Sequence, residues 1–178
     1  VTGDVPAGSP ADRALDGIRL LMLANTVTGG KLSTAFSPVA VTLDELGDAW
    51  AKGRVHLPLQ TTWNGRKVGL CDAGVDMDFH FGQLIAHACQ TRNLRAGSLM
   101  GSGVVRNRGV EKKGRTDWPK GYNHIADKRA METAQNGAPS TEFMQLGDTV
   151  RMEMKGRDGH SLFGAIEQEL VLTGPGRS

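Results

Sequence analysis

Arg54-Val55-His56-Leu57-Pro58-Leu59-Gln60-Thr61-Thr62-Trp63-Asn64-Gly65-Arg66-Lys67-Val68-Gly69-Leu70-Cys71 sets two apolar and β-branched runs either side of Asn64-Gly65. Both turn residues tolerate positive φ, which a type I′ turn demands. The pattern predicts a hairpin with strands over 54–63 and 66–71. Composition points the same way. The 178 residues hold 24 Gly and only 5% aromatics, which favours short strands and tight turns over a helical bundle.

Upstream of the hairpin, Thr42-Leu43-Asp44-Glu45 predicts one helical turn with a capping-box-like start, and Phe36–Val41 reads as a strand. Thr26–Lys31 is small and Gly-rich and predicts a loop. Ser9-Pro10 precedes Ala14, Leu15, Ile18, Leu21 and Met22 at helical spacing, which predicts a helix over about 10–24 with Pro10 at its first position. Downstream, Asp78 is expected to cap a second helix running to about Thr91. Ser98–Val105 is a strand candidate interrupted by Gly101 and Gly103, and Arg106–Lys120 predicts a long basic loop. A third helix is expected over about 124–136, stopped at Asn136-Gly137, and a last antiparallel pair over 149–155 and 161–171. No repeat or linker divides the chain, so one domain over 1–178 is expected.

A net charge of +2 is too weak to imply a polyanionic partner, and no apolar run approaches the ~20 residues a bilayer requires. Neither nucleic acid nor a membrane is therefore expected as a partner. Cys71 and Cys89 lack close pairing and read as free thiols in a reducing, cytoplasmic setting. The chain opens Val1-Thr2-Gly3-Asp4 without an initiator Met or a leader-like stretch. No signal peptide is expected, and the chain reads equally as a fragment.

Single constellations are weak. Glu167 and Glu169 share a strand face but lack a third oxygen ligand, and a solvated acidic face explains them better. Asp76 and Asp78 read as a turn and a helix cap. His80, His87 and Cys89 lack tetrahedral spacing and read as helix residues. No P-loop, dinucleotide fingerprint or Gly-x-Ser-x-Gly elbow occurs. What remains is Lys31 on a Gly-rich loop with Thr34 nearby, and Gly101-Ser102-Gly103. A lysine so placed can face an anionic intermediate while glycine backbone lets a small ligand approach.

The ordered blocks carry more. They are Thr34–Thr42, Asp44–Gly47, Arg54–Leu59, Asp72–Met77, Phe81–His87, Gly101–Gly103 and Phe163–Gln168, spread from about Val1 to Leu172. Together they make the chain resemble the C-terminal catalytic domain of bacterial fumarylacetoacetate hydrolases. The resemblance implies an α+β, β-rich fold, a mixed β-roll or sandwich with a few short helices, in a homodimer. It implies cleavage of a carbon–carbon bond in a β-diketo acid with Mg²⁺ or Ca²⁺. On it, Lys31 and Asp127 are the expected catalytic residues. Lys31 would steady developing negative charge, and Asp127 stands where relatives carry a glutamate paired with a water-activating histidine. Thr34, Ser102 and Gly103 are the expected substrate contacts, Thr34 also supporting the metal's water shell.

The departures are specific. Relatives carry a Glu-x-Glu metal pair and the histidine base in a part preceding Val1. An aspartate ligand normally follows Asn25, where this chain has Thr26, and relatives have further residues between there and Lys31. Val104 stands where a threonine is usual. As read, the chain keeps no metal-binding carboxylate, so it is expected neither to hold the metal nor to turn over alone. Three readings follow: the visible part of a fumarylacetoacetate hydrolase, a non-catalytic self-associating relative, or an acylpyruvate hydrolase or oxaloacetate decarboxylase of the same fold.

Overall fold

The computed structural model describes residues 1–29 and 31–172, with the side chains of residues 28–32 outside that description. Its centre is a four-stranded antiparallel sheet in the order β10 (Ile166–Glu169), β9 (Thr149–Met154), β5 (Pro58–Trp63) and β6 (Arg66–Asp72). The predicted hairpin is β5–β6. Asn64 and Gly65 take φ of 47° and 74°, as a type I′ turn requires. Asn64 also ties that turn to the start of β9. Its side-chain carbonyl accepts from Thr149 N–H at 2.8 Å, and its amide donates to Asp148 Oδ1 at 2.7 Å. Pro58, which has no N–H to give a ladder, sits at the first position of β5.

Register decides which face of this sheet is wet. Leu59 stands opposite Cys71 on one side and Met154 on the other, and all three are buried. Thr61 stands opposite Gly69 and Met152, so its hydroxyl lies on the same covered face. Around the sheet the core collects Val5, Ala14, Leu21, Leu57, Ile85 and Phe163. Helix α2 (Phe81–Ala88) contributes Ile85 and lies across α1 (Ala11–Leu15). The contact needs Gly82, because a Cβ there would stand 2.3 Å from the Ala11 carbonyl oxygen. The free thiols Cys71 and Cys89 are both fully buried.

Several expectations are corrected. The helix expected over 10–24 ends at Leu15, with Pro10 as its N-cap rather than its first residue. Gly17 is pressed against Val5, and Ile18 and Leu21 leave the helix to bridge Thr2 and Val41. The apolar spacing marks core residues correctly but not their backbone. Thr26–Gly29 and Lys31 are strand rather than loop residues, since β1 (Ala24–Gly29) pairs with β2 (Lys31–Phe36), putting Thr26 opposite Thr34, and Gly30 lies outside the described residues. The β-branched run Thr26-Val27-Thr28 outweighs the glycines. The strand expected over 36–41 stops at Phe36, because Pro38 follows and the Ser37 hydroxyl accepts from Leu23 N–H and donates to the Val39 carbonyl. Residues 44–49 form 3₁₀ turns after Leu43, broken at Gly47, whose φ of 49° and ψ of −132° are not helical. The two-stranded pair β3 (Trp50–Ala51) and β4 (Arg54–Val55) precedes the main hairpin.

Asp78 does not cap α2. His80 does, its N–H donating to Gln83 Oε1 at 3.0 Å, while Asp78 accepts from Arg108. Ser98–Val105 is an unladdered strap, and Gly103 at φ 81° breaks any regular strand there. The basic loop contains a hairpin of β7 (Val110–Lys112) and β8 (Arg115–Asp117) turning at Lys113-Gly114. The third helix, α3 (Ile125–Asn136), forms as expected and ends on left-handed Gly137. The α+β, β-rich class expected from the sequence is the class observed.

Candidate functional site

The short segment 120–123 positions everything of interest. It runs along the free side of β6, with Leu70 N–H donating to the Lys120 carbonyl at 2.8 Å and Tyr122 N–H to the Val68 carbonyl at 3.0 Å. Two glycines permit that approach. A Cβ on Gly69 would stand 2.2 Å from Asn123 Oδ1, and one on Gly121, at φ 66°, 2.1 Å from the Val68 carbonyl oxygen. The segment feeds directly into α3, which carries Asp127 one turn beyond His124. The strap 101–107 is tied to the same frame at two points. Asn107 exchanges hydrogen bonds with the backbone of Asp72 at 2.8 and 3.0 Å, and the Val105 carbonyl accepts from Asn123 Nδ2 at 3.2 Å.

Three adjoining depressions result. The first, about 240 Å³, is lined by Ser102, Gly103, Val104, Asp76, Asp78 and Arg106. The second, about 400 Å³, shares Asp76, Asp78 and Arg106 with the first and adds Arg108 and Asp127. The third, about 530 Å³, shares Tyr122 and Asn123 with the second and reaches Thr26, Thr61, His124 and Phe143. Together they form a trough from the glycine strap to the β1–β2 hairpin.

Asp127 Oδ1 lies 3.3 Å from His124 Nδ1 and 3.9 Å from Arg106 Nη1. The His124 contact is not aligned as a hydrogen bond. His124 Nδ1 and, independently, Asp127 Oδ2 are buried without a hydrogen-bond partner. A buried polar atom without a partner costs about 1–3 kcal/mol, so a bound group that pairs with it recovers that cost. Arg108 is committed to the acidic pair: its backbone N–H donates to Asp76 Oδ2 at 2.9 Å, and its guanidinium lies 3.3 Å from Asp78 Oδ1. Glu132, farther along α3, accepts from the Ser140 and Thr141 amides and the Thr141 hydroxyl. These donors hold its carboxyl down at about 2 and pin the loop that carries Phe143 and Met144 to the helix. Burial pushes the Cys71 thiol up from its ordinary value.

The expected site residues divide along the trough. Ser102 and Gly103 line its first depression and Asp127 its second. Thr34 is exposed on β2 beside the third, its hydroxyl 3.1 Å from that of Thr26, which lines the cavity. Lys31 begins β2 opposite Gly29, but its side chain lies outside the described residues. Sequence reading passes over His124, Arg106, Tyr122 and Thr61. The i, i+3 spacing of His124 and Asp127 across a helix start is the one signal that could find any of them.

Residues 18–171 match the model of the fumarylacetoacetate hydrolase C-terminal domain. The chain belongs to the fumarylacetoacetate hydrolase family. No curated protein matches it. The family generally binds a divalent cation, and a hard cation takes six or more oxygen ligands. Among the described residues, no three acidic, histidine or cysteine side chains converge to hold one. Asp76 and Asp78 are occupied by Arg108, and Thr26 offers a neutral hydroxyl. The described residues therefore do not fit the family's cation.

Proposed function

We infer that the trough is the seat of a β-diketo acid such as fumarylacetoacetate or an acylpyruvate, in a hydrolase that cleaves its carbon–carbon bond. The observation that carries this reading is Asp127, its Oδ1 beside His124 and Arg106 and its Oδ2 without a partner, in a depression that shares Asp76, Asp78 and Arg106 with the one lined by Ser102 and Gly103. Arg106 supplies positive charge for a carboxylate, and Asp127 supplies an acceptor for a proton from water or substrate. The Gly101–Gly103 backbone lets a planar ligand approach closely.

A second reading, a folded and self-associating relative without catalysis, is favoured by one observation: the described residues lack a cation cage. Two measurements on the full chain separate the readings. The first reading expects saturable binding of acetylpyruvate, weakened at least tenfold by Arg106→Ala, with no release of product from fumarylacetoacetate in Mg²⁺ by these 178 residues. Failure to bind any diketo acid, together with dimerisation in sedimentation, supports the second reading. Turnover by this chain would refute its expected inactivity.

A further inference from the structure

Phe143 and Met144 reach the third cavity from a segment held unlike its other walls. Most of those walls come from β1, β5, β6, β9 and the start of α3, whose backbone is bonded within sheet or helix. Among the described residues, none from 138 to 146 makes a backbone-to-backbone hydrogen bond to a helix or strand, and none of them is buried. The last backbone ties stand at the two ends. Gly137 N–H donates to the Thr133 carbonyl at 2.9 Å, and Gly147 N–H to the Leu170 carbonyl at 2.8 Å. Both glycines are left-handed, at φ 82° and 88°, and a Cβ on either would meet nothing within 4 Å. They serve the path of the chain, not close packing. Two side chains of α3 hold the segment down. Glu132 accepts from the Ser140 and Thr141 amides at 2.8 and 2.7 Å and from the Thr141 hydroxyl at 2.7 Å, while Arg129 donates to the Thr141 carbonyl and stacks on the Phe143 ring at 4.3 Å.

We propose that residues 138–146 are a flap that swings on Gly137 and Gly147, latched to α3 by Glu132 and Arg129, and that its opening gives the third cavity its exchange with solvent. A segment with no buried side chain and few backbone ties opens at low free energy, ahead of the sheet beneath it. The latch converges on Thr141, which offers its N–H and hydroxyl to Glu132 and its carbonyl to Arg129, so one displacement breaks most of it. The cavity behind has a use for such access. Thr61 Oγ1, Trp63 Nε1, Asn123 Oδ1 and His124 Nδ1, all in its wall, are buried without a hydrogen-bond partner. Water or a ligand that enters satisfies them. The inference is independent of the ligand named above.

Trp63 reports on the flap, because its indole N–H is buried without a partner and exchanges only as fast as water reaches it. NMR of the ¹⁵N-labelled full chain follows that exchange, with Trp63→Phe identifying the resonance. Trp50, which packs on Phe81 and does not line the cavity, is the reference. Glu132→Cys with Thr141→Cys, joined by dibromobimane, shuts the flap covalently, and the same double variant unlinked leaves it unlatched. Cys71 and Cys89 are buried and stay out of the reaction. Exchange at Trp63 is expected to be about tenfold or more faster in the unlinked variant than in the unmodified chain, and about tenfold or more slower once linked, with Trp50 unmoved. Glu132→Gln and Arg129→Gln repeat the test should the double variant fail to fold, each expected to quicken Trp63 alone about fivefold. Trp63 rates that ignore both the link and the latch variants overturn the proposal. So does a Trp63 indole already unprotected in the unmodified chain, or a Trp50 rate that rises in step with that of Trp63, since the whole chain would then be opening.

Discussion

Asn64 has two functions that a glycine would divide. It accepts the left-handed backbone of the turn, and its side chain joins the turn to Asp148 and Thr149 at the head of β9. Asn64→Ala replaces a residue that tolerates left-handed backbone with one that does not and removes both ties, so a loss of about 1–3 kcal/mol in urea unfolding is expected, with Asn64→Gly recovering the backbone part. Glu132 gives a pH dependence whose sign is fixed. Its folded carboxyl titrates at about 2, below the ordinary 4.5, so its contribution is complete above pH 4.5 and is lost as pH falls from there through about 2. Amide exchange in residues 139–144 should therefore quicken through that window ahead of exchange at Ile85, and Glu132→Gln should remove the dependence. The Cys71 thiol, buried and held protonated, is expected to ignore a thiol reagent until the chain unfolds.

Among the elements, what the sequence discloses follows from how local each signal is. The β5–β6 hairpin is legible because Asn64-Gly65 specifies its own turn, and α3 because Gly137 supplies its own stop. The stretch 10–24 misleads because Ile18 and Leu21 satisfy helical spacing while taking their partners, Thr2 and Val41, from elsewhere in the chain. Spacing reports burial, and only the tertiary partner fixes the backbone. The strap 101–107 resembles a strand for the same reason, since Asn107 and Asn123 hold it by point contacts that no periodicity encodes. The candidate site is partly legible. Resemblance names Asp127, Ser102 and Gly103, which line the depressions, whereas the place of Thr61 on the covered face of the sheet comes from a register with Met152 that only the folded sheet reveals. The docking of segment 120–123 is testable directly. Gly121→Ala combines left-handed strain with a clash against the Val68 carbonyl, and should cost about 2 kcal/mol or more while releasing the Tyr122 amide to exchange. Ile85→Ala, at 1% exposure, should cost about 2–5 kcal/mol with no such local release.

At the scale of the whole molecule, an antiparallel sheet carries a segment on its β6 side, that segment starts a helix, and the helix and a glycine strap enclose a trough with polar and apolar ends. Fold and family agree over residues 18–171. Within the trough, arginines line one end and Met, Val and Phe the other. Chemical-shift mapping of the ¹⁵N-labelled chain titrated with benzoylpyruvate is the most direct measurement. Saturable shifts at Thr61, Gly103, Asn123 and Asp127, with α1 and α2 unmoved, are predicted. Shifts centred on the α1–α2 face, or none at saturating ligand, would contradict a diketo acid lying in this trough.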